Sequence, residues 1–175
     1  MQKLISNEQL ESFYELGYLF MPGFYDVDRD IRPIQTAIQD IMVVLAKKYQ
    51  VPFTRHSVEQ FDVSYTALLK KDRRIAAELY DAVKQIPAFV RLAAHPKNEA
   101  LMAAVRQTEL PGFAGVGYGI RIDNPQEEKF RASWHQDYLT QLRSRNGVVF
   151  WSPLVPITDD LGPVQICEGS HLDGL

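Results

Sequence analysis

An α+β fold is predicted for this chain, with helices gathered in residues 1–110 and strands in 111–175. Before Thr108, apolar residues recur at three- and four-residue spacing, as amphipathic helices require. Beyond Gly112 the chain turns to Gly, Pro and short β-branched or aromatic runs. Its 175 residues, 46% of them hydrophobic and 23% charged, suffice for one sizeable core, so a single domain over 1–175 is expected. Helices first and strands second suggests helices packed outside a sheet or barrel.

Ser6 and Gln9 have the capping-box spacing that opens a first helix, and Gly17 is the expected left-handed stop after Leu10, Phe13 and Leu16. "YLFMPGF" (18–24) reads as an extended segment and a Pro-Gly turn. A second helix is predicted from about Asp30 to Tyr49, with Ile34, Ile38, Ile41, Met42 and Leu45 on one face and Pro33 in its first turn. Ser57 and Gln60 repeat the capping-box spacing before Phe61, Tyr65, Leu68 and Leu69. Ile75, Leu79, Val83 and Ile86 form a further stripe ending before Pro87, and shorter helices are expected near 88–95 and 98–107. In the second part, "GFAGVGYGIRID" (112–123), "VVFWSPL" (148–154) and "PVQIC" (163–167) read as strands, the second of them buried. "NPQEEK" (124–129) reads as a polar loop, and "DDLG" as the turn before the last strand.

Net charge is −3 and the pI about 5.8, with Lys and Arg scattered, so the basic stripe of a nucleic-acid groove is missing. No apolar run exceeds six residues, as in "IMVVLA" (41–46), far short of the roughly 20 that span a bilayer. "MQKLISNEQ" carries no apolar signal region. A lone Cys167 excludes an intrachain disulfide and fits a reducing, cytoplasmic setting.

"ASWHQDYLTQ" (132–141) is where chemistry enters. In a strand, residues two apart share a face, so His135 and Asp137 could present an imidazole nitrogen and a carboxylate oxygen to one point. Those are two of the three ligands of a two-His-one-carboxylate iron site. With four histidines and twelve aspartates in the chain, chance supplies some H-x-D roughly one time in four, so the motif alone decides nothing.

Its context is more specific. "LISNEQLESFYELGYLFMPGFYD", "SWHQDY", "NGVVFWSPLVPIT" and "DDLGPVQICEGSH", in that order, resemble the phytanoyl-CoA dioxygenase family. Residues of about 35–110 match only in being helical. The resemblance implies a double-stranded β-helix that here lacks its last strands. It also implies Fe(II) and 2-oxoglutarate as cofactor and cosubstrate, and hydroxylation of a small-molecule substrate. His135 and Asp137 match the family's first two iron ligands, and the Asp137 carboxylate favours hydroxylation over halogenation. Gln136 matches a position that contacts 2-oxoglutarate in some members, which needs a local twist of the strand. Trp151 lies on the strand lining the cosubstrate pocket, or is simply a buried aromatic. Arg121 sits where members often carry a basic residue facing the site, or is a solvated strand-end charge.

The family's third ligand is a later histidine, followed by an arginine for the far carboxylate of 2-oxoglutarate. Here the only downstream histidine is His171, in the "GSH" turn, and no arginine follows Arg145. His171 is expected to be a turn histidine bonded to nearby backbone, and His56 and His95 surface or capping residues. A truncated site that binds iron poorly or not at all is the resulting expectation, with open sheet edges that invite homo-oligomerisation. A non-catalytic β-helix binding or assembly module is the alternative. A Cys167/His171 nucleophilic pair has little to support it.

Overall fold

The computed structural model describes residues 4–57, 60–115, 117–124, 131–139 and 144–174. Six α-helices lie among them: α1 (Asn7–Leu16), α2 (Arg32–Lys48), α3 (Phe61–Lys71), α4 (Arg73–Val83), α5 (Pro87–Ala93) and α6 (Pro96–Arg106). They fall into two compact units. The first holds Met1–Phe24, Ala94–Gly117 and Glu128–Leu175, and the second Tyr25–Ala93 and Tyr118–Glu127.

In the first unit, α1 starts with the predicted capping box. The Ser6 hydroxyl accepts from Gln9 N–H at 3.1 Å, and Gln9 Oε1 accepts from Ser6 N–H at 2.9 Å. Gly17 ends the helix at φ 83°, a conformation that costs an L-residue with a Cβ about 1–2 kcal/mol. Phe13 of α1 packs with Ile5 and with Leu101 and Val105 of α6. Tyr14 donates its phenol to the Val105 carbonyl at 2.6 Å, a second tie between α1 and α6. α6 is opened by His95, whose Nδ1 accepts from Lys97 N–H at 3.1 Å, so this histidine is a capping residue as expected.

The second unit is organised around α2, which packs against α3, α4 and α5. A single π-helical turn (Val27–Ile31) precedes it, and Pro33 sits where its missing N–H costs nothing. Ile34, Ile38, Met42 and Leu45 are buried and Ile41 half-buried, while Val43 and Val44 are exposed, so the predicted stripe is the inner face except for Ile41 at its margin. Each such burial is worth roughly 1.5–3 kcal/mol. Ile75, Leu79 and Val83 of α4 and Leu68 of α3 complete this core. The N-cap of α3 is Gln60, without a side-chain cap bond, and the Ser57 carbonyl accepts from Gln60 N–H at 3.0 Å; residues 58–59, inside the expected Ser57–Gln60 box, lie outside the described residues.

The β part of the prediction is overturned. Among the described residues there is no strand, hence no sheet, no barrel and no double-stranded β-helix. The structural basis for the dioxygenase and iron-binding labels attached to that fold falls with it. The described parts of 112–123, and 148–154 and 163–167, are irregular backbone, bends and turns. Alternating β-branched and aromatic residues favour extended dihedrals, but a strand also needs a neighbour whose N–H and C=O groups complete a ladder. "VVFWSPL", expected to be buried, instead leaves Val149, Phe150 and Trp151 exposed. No sheet edge exists among the described residues for copies of the chain to pair through. The polar loop at 124–129 lies outside the described residues apart from Asn124, whose Oδ1 accepts from Tyr65 at 2.6 Å.

Candidate metal-donor site

His135 and Asp137 do converge, though not by strand geometry. In a regular strand, residues two apart are separated by about 6.6 Å along the chain. Here the backbone enters a 3₁₀ turn at Asp137 (Asp137–Leu139), and His135 Nε2 lies 3.3 Å from Asp137 Oδ1. The other ring nitrogen, Nδ1, donates to the Ser133 carbonyl at 2.6 Å. A carbonyl partner assigns a proton to Nδ1 and leaves Nε2 to face the carboxylate. A ring nitrogen and a carboxylate oxygen face each other comfortably only with a proton or a cation between them. Two ligands each about 2.1 Å from a shared ion stand about 3.0–3.4 Å apart at octahedral to tetrahedral angles, so the spacing suits a common metal. His135 is about half exposed and Asp137 less so.

A resident iron needs more. Among the described residues, no group of three His, Cys, Asp or Glu side chains is placed to hold a metal ion. The pair fits two corners of a coordination sphere and does not by itself make the three-residue site that the resemblance implies.

The other implied residues are placed as follows. Gln136 Nε2 donates to the Gly174 carbonyl at 2.8 Å. Trp151 is 52% exposed, so the alternative of a plain buried aromatic does not hold either. Arg121 belongs to the second unit, where its Nε donates to both oxygens of Asp123 at 2.7–2.8 Å. That carboxylate raises the Arg121 pKa further above its ordinary value. His171 is the turn histidine expected, but its backbone partner is far away in sequence: Nε2 meets the Tyr14 carbonyl of α1 at 2.9 Å. Cys167 is a free, exposed thiol.

Two contributions escaped the sequence reading. The Ser133 carbonyl orients His135, and no side chain signals a backbone acceptor. Tyr18 donates to Glu168 Oε1 at 2.8 Å, a bond that raises the Tyr18 pKa. The only sequence hint of that contact was the "EGSH" turn itself. Elsewhere, a shallow, open hollow of about 400 Å³ lies beside α2, lined by Ala37, Ile41, Ile86 and Pro87 with Asp40 at its edge. Asp40 is already paired with Arg55 at 2.6 Å.

Fold and site together define a mainly helical chain carrying a two-donor His–Asp pair. Compared with protein-family models, curated proteins and solved structures, the chain matches none of them. The family resemblance therefore rests on the sequence motifs alone. No helix among the described residues is long and apolar enough to cross a membrane.

Proposed function

We propose that His135 and Asp137 are a divalent-metal donor pair of the kind found in Fe(II)- and 2-oxoglutarate-dependent oxygenases. Hydroxylation of a small molecule is the activity such a pair serves once a third donor, from outside the described residues, completes it. The 3.3 Å approach of His135 Nε2 to Asp137 Oδ1 carries this reading. It gains support from the Ser133 carbonyl, which holds the ring in the tautomer a metal needs. When bound, iron and 2-oxoglutarate supply the oxygen chemistry. The chain's own part is narrower: Ser133 orients the imidazole, and His135 and Asp137 offer one nitrogen and one oxygen. With two donors on a partly exposed segment, metal binding by these residues alone is weak. A cytoplasmic setting belongs to the same reading, consistent with the free Cys167 thiol.

Co(II) titration followed by visible absorption tests it. A ligand-field band should grow on addition of Co(II) and be lost in both His135→Ala and Asp137→Ala. A band that survives both substitutions refutes the assignment.

A further inference from the structure

His171, expected to be a turn histidine, and Gln136, matched to a cosubstrate contact, share a different task. Resting on the donor-pair reading, we propose that residues 167–174 form a strap tying the His135–Asp137 segment to the end of α1, with His171 and Gln136 as positioning residues at its two ends. A helix leaves its last carbonyls without intrahelical partners. Here Gly17 N–H takes the Phe13 carbonyl at 3.0 Å, His171 Nε2 the Tyr14 carbonyl at 2.9 Å, and Gly169 N–H the Leu16 carbonyl at 2.9 Å. The Tyr18–Glu168 bond fastens the strap again one residue beyond Gly17.

Within the strap, Leu172 N–H reaches the Gly169 carbonyl at 2.9 Å and Asp173 N–H the Ser170 carbonyl at 3.3 Å. The next residue, Gly174, accepts from Gln136 Nε2 at 2.8 Å. Hydrogen bonds, with one covalent step from Asp173 to Gly174, thus lead from α1 through the 3₁₀ turn Ser170–Leu172 to the residue lying between the two metal donors. The fit is close at the α1 end, since a Cβ on Gly17 would stand 2.5 Å from His171 Nδ1. His171 is therefore committed to α1 through Nε2 and pressed against Gly17 beside Nδ1. It holds the site in place without being its third ligand.

The test combines amide hydrogen exchange of the metal-free chain with Co(II) titration, in wild type, Gln136→Ala, His171→Ala and His171→Gln. Loss of either end should speed exchange at Gly169 and Leu172 and weaken Co(II) binding about tenfold, the lower range for groups that orient metal ligands. The double alanine variant should be little worse than either single one, because a strap cut once is already cut. His171→Gln keeps an N–H donor and should recover part of the loss. Exchange that responds in this way in a chain that binds no Co(II) supports the strap and removes the donor-pair reading. Unchanged exchange alongside His135-dependent Co(II) binding overturns the strap and leaves the pair standing.

Discussion

Replacing Gly17 with alanine puts a methyl group where His171 already sits. The new Cβ would lie 2.5 Å from His171 Nδ1 and 3.0 Å from its Cε1, on a residue held at φ +83°. The left-handed backbone alone costs about 1–2 kcal/mol for a residue with a Cβ. Displacing the imidazole adds the loss of its bond to the Tyr14 carbonyl, about 0.5–1.5 kcal/mol. The sum is roughly 1.5–3.5 kcal/mol. Gly23 is the internal control: at φ +68° with nothing within 4 Å of an added Cβ, Gly23→Ala should cost only the backbone part. Urea unfolding of the two variants and wild type, compared at a common m-value, measures the difference. Gly17→Ala should be the more destabilising by about 0.5–1.5 kcal/mol, and that excess should vanish in a His171→Ala background. Equal losses at the two glycines, or an excess that persists without His171, would refute the contact between the turn and α1.

Further expectations concern the second unit and the pH dependence of both. Met42→Ala empties a fully buried position on α2 and should cost about 2–5 kcal/mol, whereas Val44→Ala, 65% exposed on the same helix, should stay within about 0.5 kcal/mol by thermal unfolding. Glu78 accepts from Lys48 at 2.8 Å and from Tyr49, and these two hydrogen bonds hold its pKa below the ordinary glutamate value. The stability it contributes is present above that ordinary value and lost as pH falls through the lower folded one, so Glu78→Gln should flatten the acid limb of a stability–pH profile there. Tyr18 behaves in the opposite sense. Its pKa is raised by Glu168, so its contribution holds below the ordinary tyrosine value and fades as pH rises through the higher folded one. Tyr18→Phe should remove that alkaline dependence, as read by urea midpoints across the range.

Helices were legible because their signals are local. Ser6 and Gln9 lie three residues apart, Gly17 marks its own stop, and the inward face of α2 repeats within a few turns of Ile34. The Ser57–Gln60 spacing is equally local, and at α3 the N-cap Gln60 makes no side-chain cap bond. Strands failed because pairing is not local. Val149, Trp151, Val164 and Ile166 have the composition of strand residues and are exposed on irregular backbone, with no ladder among the described residues to make them a sheet. The candidate site fell between these cases. His135 and Asp137 stand out only when their spacing is taken with the flanking motifs, and their convergence depends on a 3₁₀ turn at Asp137 that strand geometry does not contain. Gln136 and His171 were marked as interesting while their partners, Gly174 and Tyr14, lay 38 and 157 positions away. A short motif carries no information about acceptors that distant.

Equilibrium dialysis of Fe(II) under anaerobic conditions, with wild type, His135→Ala and Asp137→Ala side by side, bears most directly on the central claim. The donor-pair account predicts weak binding of one ion per chain that both substitutions abolish. Binding indifferent to both residues, or none at any Fe(II) concentration, would contradict it.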